Sequence, residues 1–164
     1  MTKVEIDSSQ VDSILDTLEE GTVTHEMIWK ALHEGASVLR ENARNYFKSS
    51  YSSIANHVGK WYDFPMYEGI EFIKEDKEAL VTGVHILRDF RLKFFEKGTA
   101  ERTTGDLTGY SYDRKHRFRS GGHSTGQIVG KYFFKSAAQA SEGEIEEAMV
   151  RSLDESLRNL EQGT

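Results

Sequence analysis

The residues with the spacing of a known chemistry lie late in the chain. Gly122-His123-Ser124-Thr125-Gly126 matches the G-x-S-x-G nucleophile elbow letter for letter. That elbow lifts its serine from a buried apolar strand, and a histidine later in the chain serves as the base. Here Arg117-Phe118-Arg119-Ser120 comes first and no histidine follows Ser124, so the serine reads as part of a loop. Gly126-Gln127-Ile128-Val129-Gly130-Lys131 falls short of a phosphate loop. That motif has four residues between its glycines and Ser or Thr after the lysine; this run has three, and Tyr132 follows. His25-Glu26 and His33-Glu34 recur eight residues apart. On a helix that is over two turns, too far for one ion, whereas a zincin pair sits at i and i+4. His57, His85, His116 and His123 show no ligand spacing, and no cysteine occurs, which removes disulfides and thiolate zinc sites. No catalytic residue, metal or cofactor is expected, and the chain does not read as an enzyme.

The remaining chemistry is basic and aromatic. Arg114-Lys115-His116-Arg117-Phe118-Arg119, with Tyr110 and Tyr112 nearby, has the composition that holds phosphates and stacks on bases. The same residues suit contact with an acidic patch on a neighbouring subunit, or a solvated loop. The net charge of −6 leaves no broad basic footprint for nucleic acid. Charge is also unevenly spread. Residues 1–20 set Lys3 against Glu5, Asp7, Asp12, Asp16, Glu19 and Glu20, and residues 141–164 are likewise acidic. Between them, 99–135 is basic, with Arg102, Lys131 and Lys135 adding to the run.

Positioning these residues requires an ordered frame. At 164 residues the chain suffices for one domain with a core. Aromatics at 11% argue against wholesale disorder. Met1–Asp7 lacks a signal-peptide pattern, and no apolar run reaches the ~18–20 residues that span a bilayer; a soluble protein without membrane contact is expected. Ser8 or Ser9 caps a short helix over 10–18. Thr24 caps a long helix to about Phe47, with Ile28, Leu32, Val38, Leu39 and Tyr46 on the buried stripe and Ala31, Gly35 and Ala43 between them. Gly35 and Ala36 admit a close neighbour. Pro65 breaks any helix in the poorly patterned stretch 49–67, where Trp61-Tyr62-Asp63-Phe64 is suited to packing under the sheet or to an interface.

From Gly69 the period becomes two. Strands are expected over 69–74, 79–87 and 89–96, paired as an antiparallel meander. In the second, Leu80, Thr82, Val84 and Ile86 share one face, with Val81, His85 and Leu87 on the other. The third ends at Gly98, where positive φ costs nothing. Glu96 has no acid or base partner at a defined spacing, so it reads as part of a turn that fixes the exit of a long loop, 99–126. Loops beyond ~12–15 residues are functional or disordered, and the rings give this one hairpin character, as an arm that orders on contact. Residues 127–134 return as a strand or helix lead-in. A last helix covers 142–160, with Ile145, Met149, Leu153, Leu157 and Leu160 on one face. The fold class is α+β: a long N-terminal helix and a C-terminal helix on a small antiparallel sheet, with a basic arm.

Two short motifs carry a resemblance. Phe94-Phe95-Glu96-Lys97-Gly98-Thr99 closes the third expected strand, and Gly130-Lys131-Tyr132-Phe133-Phe134-Lys135-Ser136-Ala137-Ala138 leads into the last helix. This order of parts resembles the small tail-component, or tail-completion, proteins at the head–tail junction of long-tailed, lambdoid-type bacteriophages. In that family a strand closes on Phe/Tyr-x-Glu-x-Gly-Thr, a variable loop follows, and an aromatic-plus-Ala segment opens the C-terminal helix. Where it has Arg-Pro-Phe-x-x-Pro-Ala, this chain has no proline. The resemblance spans about Thr24 to Leu160 and implies a virion protein, assembled in the host cytoplasm, that completes or joins the tail as a ring of identical subunits beside other neck or tail proteins. It gives structural roles to Phe95, Glu96, Gly98, Thr99, Phe133 and Phe134. The expected interface residues are Arg102, Arg114, Lys115, Arg117, Phe118 and Arg119. The alternative is a nucleic-acid-binding module that uses the same loop. Residues 1–23 read as an acidic N-terminal segment, 24–160 as the domain and 161–164 as a tail.

Overall fold

The computed structural model describes residues 3–6, 23–73, 75–103 and 124–162. The short helix expected over 10–18 lies outside them. The fold is α+β, with a long N-terminal helix and a C-terminal helix packed with a small antiparallel sheet.

Helix α1 (His25–Ser50) begins where Thr24 predicts. The Thr24 hydroxyl accepts the Met27 N–H, and the Met27 thioether receives the Thr24 N–H at 3.5 Å, in the place a Glu or Gln usually takes in a capping box. Its buried stripe runs Met27, Ala31, Leu32, Gly35, Ala36, Leu39, Ala43 and Phe47. Tyr46 is exposed and Phe47 takes the core position instead. The chain turns at Tyr51 into the single turn α2 (Ser52–Ala55), and a 3-10 turn follows Pro65 at Met66–Gly69.

Strands β1 (Lys3–Ile6), β2 (Glu71–Phe72) and β3 (Thr82–His85) form a sheet ordered β1-β3-β2, antiparallel throughout. The strand expected over 79–87 is shorter, Thr82–His85, with Gly83 buried as well and Leu80 left in the preceding turn at φ 52°. Thr82, Val84 and Ile86 are buried, while Val81 and Leu87 are exposed on the opposite side. The third strand is not the one expected. Residues 89–96 do not extend the meander; their end forms helix α3 (Leu92–Lys97), and β1 supplies the third strand through pairing with β3. Asp89 decides the change. Its carboxylate accepts the Arg91 N–H at 3.0 Å and its carbonyl accepts that of Leu92, which opens a helical turn. Leu92 and Glu96, four apart, are both buried, and the residue after each, Lys93 and Lys97, is exposed.

Strands β4 (Arg102–Thr103) and β5 (Ser124–Gly126) pair with each other. Helix α4 (Phe133–Ala140) and helix α5 (Glu142–Gln162) complete the chain. α5 lies on the Gly35 face of α1, where a Cβ at Gly35 would sit 2.8 Å from Met149 Cγ. The sheet lies on the other face: Arg40 and Arg44 bond Glu71 of β2, and these stand roughly 140° and 180° around α1 from Gly35 at 3.6 residues per turn. The core between these layers centres on Leu32, Leu39, Phe47, Val84, Leu92, Phe133, Phe134, Met149 and Leu153.

Candidate functional site

The two motifs of the resemblance meet in space. α4 starts badly by itself. Tyr132, at its N-cap, is left-handed (φ 48°, ψ 41°) and makes no side-chain cap, so the first N–H groups of the helix need partners from elsewhere. Glu96 provides three such partners. Its carbonyl accepts the Tyr132 N–H at 3.0 Å, and its carboxylate accepts those of Phe134 at 2.8 Å and Lys135 at 3.2 Å. Ser136 then makes the first bond within the helix, to the Tyr132 carbonyl. Negative charge at a helix N-terminus is favourable as well. Glu96 is 1% exposed, and its role is that of a cap delivered from another element.

Around this cap the backbone closes tightly. The Lys131 N–H bonds the Phe95 carbonyl, the Thr99 N–H bonds the Ile128 carbonyl, and the Ile128 N–H returns to the Thr99 hydroxyl. Gly98 has φ 81° and ψ −178°, a region that is essentially glycine's alone. A Cβ there would lie 2.8 Å from both Gly130 N and Ile128 O, and one on Gly130 would run into the backbone of Lys97 and Gly98. The Tyr51 hydroxyl reaches the carbonyls of Phe95 (2.8 Å) and Val129 (3.1 Å), so α1 holds both limbs of the clamp. Burial pushes the Tyr51 phenol above its ordinary pKa; a backbone hydrogen bond with Lys131 lowers it and the nearby Glu96 charge raises it further. The ring joins Phe47, Phe95 and Phe133 in one aromatic cluster with centroids 4.9–6.4 Å apart.

Phe95, Glu96, Gly98, Thr99, Phe133 and Phe134 therefore form one unit, the clamp from which β4 leaves and to which β5 returns. Arg102 stands on β4. Arg114, Lys115, Arg117, Phe118 and Arg119 lie outside the described residues. Ser124 is on β5, a three-residue strand in this ribbon. His33 bonds Glu75 at 2.9 Å and stacks on Phe72, and His25 meets the Glu78 carbonyl. Among the described residues no group of three His, Cys, Asp or Glu side chains is placed to hold a metal, and no helix is long and apolar enough to cross a membrane.

A second feature escaped the sequence reading. The loop 56–64 is latched to residues 88–94 through Arg91, whose guanidinium bonds both oxygens of Asp89 (Nε at 2.9 and 3.0 Å) beneath the Tyr62 ring. Asp89 is fully buried. Hydrogen bonding to Asp89 raises the Arg91 pKa, burial opposes that, and the charges of Asp89 and Tyr62 add to the rise. Trp61 and Phe90 are left 83% and 50% exposed. The signal in the sequence is the interleaving of rings with Lys60, Arg88, Arg91 and Lys93.

Fold and site together define the class: an α+β domain whose buried glutamate clamps the two ends of a basic insertion. No family model, curated protein or solved structure matches the chain.

Proposed function

We propose that this chain is a structural protein of a phage or prophage head–tail junction. In this reading it completes or joins the tail through a ring of identical subunits and performs no catalysis. The observation that supports the reading is the clamp. The two motifs that resemble the tail-completion family, Phe95-Glu96-Lys97-Gly98-Thr99 and Gly130–Ala138, bond to each other across the Glu96 cap. A rigid root of this kind suits an insertion that reaches a neighbouring subunit or an adjoining neck or tail protein. Val129 and Tyr132 are 69% and 54% exposed beside that root; Tyr132 is also in a left-handed conformation, and such strain gathers at functional positions. Assembly would take place in the host cytoplasm and end in the virion.

The test is deletion of Gly105–Gly122 with the clamp left whole. The expected product melts as a folded domain and no longer forms the closed rings that light scattering and electron microscopy should show for the full chain. Rings that survive the deletion would remove the insertion from the interface, and a full chain that is monomeric at every concentration would overturn the ring. Binding to single-stranded DNA that falls steeply with salt, and with Arg114, Arg117 and Arg119 changed to Ala, would move the insertion to nucleic-acid recognition.

A further inference from the structure

The surface around Trp61 has the make-up of an interaction site. Val58, Trp61 and Phe90 are each at least 50% exposed. Tyr62 ties the loop to Phe90, its hydroxyl receiving the Phe90 N–H at 3.3 Å, so the exposed rings sit on a frame latched by the buried Asp89–Arg91 pair. Lys60 lies 5.5 Å from the Trp61 ring centre and Lys93 lies 6.0 Å from that of Phe90. Exposed Trp and Tyr side chains edged by cations are the residues on which binding energy concentrates at protein interfaces. A pre-ordered frame lowers the entropic cost of using them.

The complementary surface is on the same chain. The outer side of α5 carries a shallow groove of about 540 Å³ lined by Gly143, Glu146, Glu147, Val150, Arg151 and Asp154. Among the described residues its lining has three acids, one base and the apolar Val150. Glycine at 143 leaves one end open, since no described residue lies within 4 Å of its would-be Cβ. One copy cannot join its own two surfaces. α5 covers the Gly35 face of α1, while residues 69–92 sit with the sheet on the opposite side, Gly69 against Asp89 and Leu92. Two different, complementary faces on one chain make a heterologous contact, which forms a ring when the rotation closes.

We infer that the Trp61–Phe90 surface of one copy docks on the Glu146–Asp154 groove of the next, an assignment that rests on the ring of identical subunits proposed above. Cations edging the rings meet the acids of α5, and Trp61 covers Val150.

Two variants at exposed positions test this: Trp61→Ala with Lys93→Ala on one surface, and Glu146→Lys with Glu147→Lys on the other. Circular dichroism should show both folded. Light scattering across a concentration series should show each alone losing self-association by about 30-fold or more, the scale of a hot spot. Mixed one to one, they should form a dimer and nothing larger, because each retains one intact face. Wild-type-like association in either variant would overturn this interface and leave the ring standing. A mixture that stays monomeric while the wild type associates would overturn the pairing of these two faces. A wild type monomeric at every concentration would overturn both the interface and the ring. Salt-sensitive binding of a single-stranded oligonucleotide that Trp61→Ala abolishes would assign the surface to nucleic acid instead.

Discussion

The Glu96 carboxylate accepts the Phe134 N–H at 2.8 Å across 38 residues of sequence, and both residues are buried. The start of α4 depends on that bond, because Tyr132 makes no side-chain cap of its own.

Glu96→Ala removes the acceptor for Phe134 and Lys135 and leaves two N–H groups facing an emptied site. Hydrogen bonds to a charged group contribute roughly 1.5–3 kcal/mol each, so a loss of about 3 kcal/mol in urea unfolding is expected. Glu96→Gln keeps one acceptor and should lose about half as much. Equal stability in all three proteins would remove the cap from the account of the fold.

Gly98→Ala and Gly126→Ala separate torsional strain from crowding. Both glycines have positive φ, 81° and 88°. A Cβ at Gly98 meets Gly130 and Ile128, whereas one at Gly126 meets none of the described residues within 4 Å. Backbone strain of this kind costs about 1–3 kcal/mol. Gly98→Ala should exceed that range and speed amide exchange at Thr99 and Lys131; Gly126→Ala should stay within it.

Arg91→Ala would strand the Asp89 carboxylate in the core. Removing one partner of a buried pair costs about 3–5 kcal/mol. The double variant Asp89→Ala, Arg91→Ala should lose less than the sum of the single losses, since no charge is left unpaired. Additive losses in a denaturation cycle would show that the pair is not coupled.

Glu71 predicts the acid limb of stability. Burial alone would raise its pKa. The Phe72 N–H, the Arg40 hydrogen bond and the charges of Arg40 and Arg44 outweigh that and hold it below its ordinary value of 4.5. A carboxylate with a depressed folded-state pKa contributes stability above its unfolded pKa, and that contribution drains away as pH falls through the folded value. Glu71→Gln should therefore be less stable than the wild type at neutral pH. The two should draw together as pH falls below 4.5 and through the lowered folded-state pKa of Glu71, as read from melting temperature against pH. Curves that remain parallel into acid would rule Glu71 out.

Much of the frame was legible before any coordinates. Thr24, the stripe of α1 and the buried face shared by Thr82, Val84 and Ile86 follow from local geometry, because a residue's neighbours on a helix or strand are set by spacing alone. The turn from Phe95 to Thr99 and its counterpart near Phe133 were visible as motifs. What Glu96 does there was not, because a glutamate at a turn carries no mark of whether the fold will bury it against another helix. Tyr46 and Phe47 show the same limit: both fit an apolar stripe, and the Phe95 and Phe133 rings selected Phe47.

The sequence by itself determined the α+β class, the long helix with its cap, the central strand and the unequal distribution of charge. These depend on neighbours three, four or two positions away. Tertiary structure decided whether 92–97 coils or extends, for a stretch that short and rich in rings fits either period until Leu92 and Glu96 are buried together. It also chose β1 as the third strand and Glu96 as the cap of α4. Those choices join residues some forty to eighty positions apart, and only the packing of the whole chain brings such partners within bonding distance.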